Sequence, residues 1–411
     1  MKYIFLIISL GVSFSQLPSD YKLKRASDLG RFESISNLGL ASNGIMNILS
    51  YDDELLFIGT GTGLSFADLS SPTNIQYGHF TALDLPKGGN PALTIGPWPT
   101  NNIIAVSGVL NTAVATGTEP KGTGIAYSNT GGEYWNYLPQ PVDPIPDASA
   151  NGYQTIVWGN QNVSALAVTT DIDNVSYDIA VGTNYIYTAN WAGGIRRYRH
   201  SYSSTHKNWE LVPLPRDNDL NLICGQIDVE NYKVNPKDPG DGGNHNHKGF
   251  GVYVVEDTLW AGTAGGINKG IISGDCINWV RHYQSGLDNI SGNWVIGFTR
   301  QDKVDQDRGK FIRLWAITWA TQAPDINALS YTDNGGASWN ITNPLGNESG
   351  KVYDVTTHGD SVWASTEIGL YLSDSTGTHW EKYDRPIDIE TGEEILSESV
   401  YSAYYSQSDQ T

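Results

Sequence analysis

Apolar and polar positions along this chain recur in short, strand-sized phrases, with almost no helical period. The core of each phrase is an apolar run that ends in a small residue and then a hydroxyl residue. It reads Leu56-Phe57-Ile58-Gly59-Thr60, Ile104-Ala105-Val106-Ser107, Ile179-Ala180-Val181-Gly182-Thr183 and Leu259-Trp260-Ala261-Gly262-Thr263. Two more copies are Leu314-Trp315-Ala316-Ile317-Thr318 and Val362-Trp363-Ala364-Ser365-Thr366. The hydroxyl residues at 60, 107, 183, 263, 318 and 366 stand 47, 76, 80, 55 and 48 positions apart. A self-similar period near that of the shortest spacings (about 40–50 residues) is the signature of a four-stranded propeller blade, and the longer spacings require insertions.

After each phrase come a small-residue turn and a second short strand, such as Gly369-Leu370-Tyr371-Leu372. A polar turn ending in tryptophan follows. The full copies run from Ser128 through Gly132 to Trp135, from Thr332 through Gly336 to Trp339, and from Ser373 through Gly377 to Trp380. Shorter versions end at Trp209 and Trp279. Short polar side chains bond their own backbone and hold the bend, glycine supplies a positive φ, and tryptophan buries a large ring beneath it. These turns are therefore structural. Trp260, Trp315 and Trp363, inside the strand phrases, are expected to pack between blades.

The turns resemble the Asp-box, or bacterial neuraminidase repeat, of pattern Ser-x-Asp-x-Gly-x-Thr-Trp. Thr130, Asn334 and Ser375 stand where that pattern has aspartate. The joins at Gly39-Leu40-Ala41-Ser42-Asn43 and Gly286-Leu287-Asp288-Asn289 resemble the two-component-regulator type of propeller repeat found in secreted and periplasmic sensor proteins.

The expected fold is an all-β propeller of four-stranded blades. Blades fall near 45–82, 93–139, 163–214, 251–283, 293–343 and 351–384. Residues 399–405 match 351–357, an innermost strand, and are expected to form a composite seventh blade with an outer strand at 31–35. On that reading the last blade lacks its middle strands and the chain is part of a longer protein; a six-bladed ring with a tail at 399–411 is the alternative. Closure by both termini would remove free sheet edges.

Composition sharpens this picture in three places. A net charge of -19 repels phosphate backbones, which argues against nucleic acid as a partner. Residues 1–15, with Lys2, an apolar run at 3–14 and small residues at 13–15, read as a secretory signal peptide, with a linker at 16–30. No later stretch is long and apolar enough to span a bilayer, so a monomer in the periplasm or outside the cell is expected. The two cysteines, Cys224 and Cys276, can form one disulfide in such a compartment or remain two thiols.

Candidate chemistry is sparse. Asp241, His245 and His247 lie in a glycine-rich insertion between Arg216 and Phe250, where two imidazoles at i and i+2 can share a metal. Two good ligands fall short of a structural site, so a solvated loop is the plainer reading. Asp302, Asp305 and Asp307 miss the glycine of a calcium loop and fit a hairpin tip instead; Asp171, Asp173 and Asn174 are read likewise. Resemblance to sialidases implies an arginine triad and a tyrosine nucleophile, yet arginine is nearly absent from 32–195. Trp98, Trp158, Trp191 and Trp319 fall near strand ends, where rings can line one mouth of the propeller. The sequence therefore predicts a secreted, non-enzymatic propeller that binds a protein or glycan and uses no cofactor. The alternatives are a sialidase-like glycoside hydrolase and the extracytoplasmic sensor domain of a receptor.

Overall fold

The computed structural model describes residues 35–36, 39–52, 54–71, 75–96, 103–144, 151–200, 208–238, 245–374, 376–383, 392 and 398–404. The signal-peptide and linker assignments lie outside them. The protein is an all-β propeller whose strands form seven sheets. Six of the sheets are blades of consecutive antiparallel strands. Blade 1 runs through Ile45–Asp52, Leu55–Thr60, Leu64–Asp68 and Gln76–Phe80. The first strands of blades 2 to 6 are Leu93–Ile95, Ser176–Val181, Gly249–Val255, Trp294–Asp305 and Val352–His358. From blade 1 to blade 6 consecutive first strands pack on one another, so these strands form the innermost ring.

The threonines that end the strand phrases fix the turn into the third strand. Thr60, Thr263 and Thr366 donate their hydroxyls to the carbonyls of Gly63, Gly266 and Gly369. At Gly266, φ is +122° and an added Cβ would lie 2.0 Å from the Tyr283 carbonyl oxygen, so only glycine fits. Blade 3 departs from the sequence reading. There Ile179–Val181 belongs to the first strand, with Gly182 and Thr183 in the turn after it, and Asn190, paired with Ser176, holds the position of the hydroxyl residue. Blade 3 accordingly starts at Ser176, not near 163. Gln161–Leu166 forms a separate sheet with Tyr153–Trp158 and, in parallel, Lys233–Val234.

The tryptophan turns clamp successive blades. Ser128 Oγ accepts the N–H groups of Thr130 and Gly132, and Thr332 Oγ1 accepts those of Asn334 and Gly336. Thr130 and Asn334 each accept the N–H four residues on, so their departure from aspartate keeps the acceptor. In the third turn that role shifts to Asp374, whose carboxylate accepts the N–H groups of His379 and Thr376. Trp135 packs edge-on against Phe57 and Phe80 of blade 1, Trp339 against Trp260 and Tyr283 of blade 4, and Trp380 against Trp315 of blade 5. Trp209 and Trp279 donate their indole N–H groups to the carbonyls of Pro139 and Pro213 in the preceding blade or its exit loop. Each ring thus seals the joint behind it.

Residues 399–404 occupy the inner-strand position of a seventh blade. Val252 of blade 4 donates its N–H to Asp178 of blade 3; Ala403 donates its N–H to Asp354 of blade 6 in the same manner. Thr299 Oγ1 bonds the Val355 carbonyl, and Thr356 Oγ1 bonds that of Ala403. Val400 and Ala403 pack on Trp363 and Leu370 of blade 6, while Tyr404 reaches the core of blade 1. The expected partner strand is elsewhere. Ile35–Ser36 pairs with the outermost strand of blade 1, through Phe80 and His79, rather than with the 399–404 segment.

Cys224 and Cys276 form a disulfide that ties the long insertion after blade 3 to the last strand of blade 4. It sits beside a core that merges Trp158, Val163, Leu222, Tyr232 and Trp279. The bond spans 52 residues, and loop closure of that size is worth about 4 kcal/mol in the chain-entropy account. Cys224→Ser is therefore expected to lower stability by up to about that amount, read as a drop in denaturation midpoint that reductant reproduces in the unsubstituted protein.

Candidate functional site: an aromatic mouth

Every inner strand starts at the same end of the channel, and most start with a β-bulge. The register slips between Ile45 and Asn47, Ser176 and Asp178, Gly249 and Gly251, Val295 and Gly297, and Val352 and Asp354. A bulge frees one residue from the ladder and re-aims its side chain. Here the freed residues are Met46, Tyr177, Phe250, Ile296 and Tyr353, and Tyr401 matches them in the seventh position. The side chains that an ordinary strand would bury are instead part-exposed at the rim.

These rings meet tryptophans from the ends of neighbouring strands. Phe250 lies 5.2 Å from both Trp191 and Trp294, which are themselves 5.8 Å apart. Tyr177 extends the cluster through Phe250, and Trp319 continues it beside Trp294 to Tyr353, which stacks on Tyr401 at 4.7 Å. Lys248 stands 5.2 Å over the Trp191 ring and Lys351 4.4 Å over that of Trp319. Burial, reinforced by Glu367, pushes the Tyr353 phenol up to about 12, and burial with Asp173 raises that of Tyr177. Both stay protonated donors at neutral pH. One residue deeper, burial raises Asp178 to about 7 and Asp354 in the same direction, against the backbone N–H groups each accepts.

Of the four tryptophans placed at the mouth by sequence, Trp191 and Trp319 are there. Trp158 is not: it is 2% exposed in the outer core beneath the Arg197 guanidinium, 4.4 Å away. It looked like a strand end because the small sheet it belongs to was not legible. Trp98 lies outside the described residues. Phe250, Trp294, Tyr353 and Tyr401 were missed, and their signal was the aromatic residue opening the aligned inner strands from blade 3 onward.

His245 is exposed, 3.5 Å from Asp217, His247 is buried, and Asp241 lies outside the described residues. Among the described residues no three histidines, cysteines or carboxylates come together. Asp305 caps the tip of the hairpin Trp294–Asp305 and Gly309–Trp319, accepting the N–H groups of Asp307 and Arg308.

A tyrosine–arginine–carboxylate group does exist away from the mouth. Arg199 bonds both Tyr185 and Asp275, while Arg197 lies over the Trp158 and Tyr185 rings and pairs with Glu210. Tyr185 is only 2% exposed and burial pushes its phenol up to about 12. A nucleophile needs the opposite shift and an open face. The group ties blade 3 to the last turn of blade 4.

No family model matches the chain, and no curated protein matches it. Solved propellers do. The WD40 propeller domain of Doa1 shares 9% identity over 86% of this chain and 87% of its own, with a TM-score of 0.43. YCF48 bound to a D1 peptide shares 13% over 88% and 86%, at 0.41. The extracellular domain of the hybrid two-component system BT4673 of B. thetaiotaomicron shares 12% over 84% and 61%, at 0.25. At these values the sheet topology of this chain, not the likeness, carries the fold assignment. Among the described residues no helix is long and apolar enough to cross a membrane.

Proposed function

We propose that this propeller is a secreted, non-enzymatic binding module that takes its ligand, a protein or glycan, at the aromatic mouth. One observation carries the reading. Bulges at successive inner strands hold Tyr177, Phe250 and Tyr353 part-exposed at one rim, continuous with Trp191, Trp294 and Trp319. A contiguous patch of part-exposed apolar rings on a rigid scaffold marks an interaction site, because burying it fully in the fold would have been favourable. The disulfide supports an oxidising compartment. The tyrosine–arginine group supports binding over hydrolysis, since its phenol is enclosed.

Glycan and peptide arrays probed with the chain test this reading. Trp191→Ala combined with Trp319→Ala is expected to abolish any signal, as each lost stacking ring costs about 1 kcal/mol or more. Retention of full binding by the folded double variant would move the site elsewhere.

A further inference from the structure

The mouth contains the same two-residue device twice. Trp191 follows Asn190 and Trp319 follows Thr318, the equivalent ends of second strands in blades 3 and 5. Lys248 and Lys351 each stand two residues before the bulge of the next blade. Their carbonyls accept equivalent N–H groups, from Ala264 and Glu367. Each ammonium lies over the tryptophan of the blade behind it. The two pairs are thus related by the rotation of the propeller, two blades apart, with Trp294 of blade 5 at the same level between the lysines.

Charge gives this repetition its meaning. The chain carries 44 acidic and 25 basic residues, so carboxylates are abundant. Arg196, Arg197, Arg199, Arg216, Arg281, Arg300, Lys303 and Arg313 all have one within ion-pair distance. Neither Lys248 nor Lys351 forms an ion pair with a described residue. Two half-buried lysines held on indole rings, without acid partners among the described residues, are complementary to a ligand that brings its own anions. Asp178 and Asp354, one residue below the rim and each engaged with backbone N–H groups, confine such a ligand to the rim.

Building on the proposed binding role of the mouth, we infer that its ligand is an acidic saccharide, whose sugar faces lie on the rings while its carboxylates pair with Lys248 and Lys351. A saccharide fits better than an acidic peptide because the mouth offers ring faces and ammoniums, while the carbonyls beside the lysines are already engaged. The Val352 carbonyl is taken by the Trp319 indole N–H, and those of Lys248 and Lys351 by their own blades. Peptide capture through main-chain hydrogen bonds would need such groups free.

Titration calorimetry with an oligogalacturonate, a neutral cello-oligosaccharide and poly-glutamate tests the assignment on the full chain. The oligogalacturonate is expected to bind at least roughly ten-fold more tightly than the neutral sugar and to weaken with added salt. Lys248→Gln and Lys351→Gln should each weaken it roughly ten-fold, the cost of one charge-assisted contact, while leaving the thermal midpoint near that of the parent. Equal binding of acidic and neutral sugars, in each case lost in the Trp191→Ala, Trp319→Ala variant, overturns the anionic ligand but keeps the mouth. Tighter binding of poly-glutamate overturns the saccharide. Oligogalacturonate binding that neither lysine variant weakens, or no binding of any probe, overturns the inference outright.

Discussion

Replacing Trp339 with alanine is expected to lower the unfolding free energy by about 3–5 kcal/mol, the usual cost of removing a large buried ring. The residue is 4% exposed and stands edge-on to both Trp260 and Tyr283, so its loss opens a cavity at a joint between blades rather than within one. Trp380→Ala makes the control. Its ring is only half-buried, touches Trp315 alone among the described aromatic residues, and bonds Thr342 Oγ1 through its indole N–H. That variant should lose about half as much or less, because part of the ring is already in contact with water. Chemical denaturation of the two variants beside the parent decides the matter. Equal small losses would mean that the turns hold their own hairpins and do not seal the ring.

The same residues explain why so much of the fold was legible in the chain. A threonine that closes a turn onto a glycine three residues on leaves a local pattern, and so does a glycine pressed against the tryptophan of the preceding blade. Gly336 illustrates this: φ is +89°, and an added Cβ would lie 2.4 Å from the Tyr283 hydroxyl and 3.0 Å from the Trp260 ring. Such local constraints repeat with the blades, so they can be counted along the sequence. The seventh inner strand was readable for the same reason, since Val400 to Ala403 mirror Val352 to Val355.

What the sequence concealed was non-local. Nothing in the chain near Ile35–Ser36 distinguishes a strand added to blade 1 from one that closes the ring; the choice depends on which edge is free. Blade 3 misled because its hydroxyl position holds Asn190, while an unrelated Ile179–Thr183 run imitates the phrase one strand early. The small sheet through Trp158 joins a local hairpin, in parallel, to Lys233–Val234, whose register partners Ser164 and Ala165 lie 69 positions earlier, and it leaves no periodic trace. The mouth was half-legible. Trp191 and Trp319 announce themselves as tryptophans after a turn residue, whereas a bulge is a slip between two strands and is seen only when both are aligned.

The second large effect concerns acidity inside the channel. Asp178 Oδ2 accepts the Val252 N–H at 2.9 Å and its Oδ1 accepts the Ile179 N–H, while Asp354 takes the equivalent bonds from Val355 and the 402–403 segment. Burial nevertheless dominates, raising Asp178 to about 7 and Asp354 in the same direction, with the Asp354 charge adding to the shift at Asp178. The folded state therefore keeps protons that the unfolded chain releases from about pH 4 upward. Stability from these groups is full at low pH, falls as pH rises toward 7, and is flat above it. Two sets of groups oppose this trend. Asp143 is lowered chiefly by Arg196, and Asp275 by its Tyr185 hydrogen bond together with Arg199 and Arg197, and both lose their contribution on acidification. Burial lowers His200 and His282, so protonation of the unfolded chain below about pH 6.5 also favours unfolding. The total curve mixes all of these, so the test must be differential. Asp178→Asn fixes the neutral form and sacrifices one acceptor, which makes it less stable than the parent at pH 5. Between pH 5 and 8 the gap should close, or reverse, by on the order of 3 kcal/mol, because only the parent must ionise within the ring. Urea titrations of both proteins at pH 5, 6, 7 and 8 provide the measurement. A gap that stays constant across that range would show that the two backbone N–H groups compensate fully for burial, and the channel carboxylates would then be plain hydrogen-bond staples between blades.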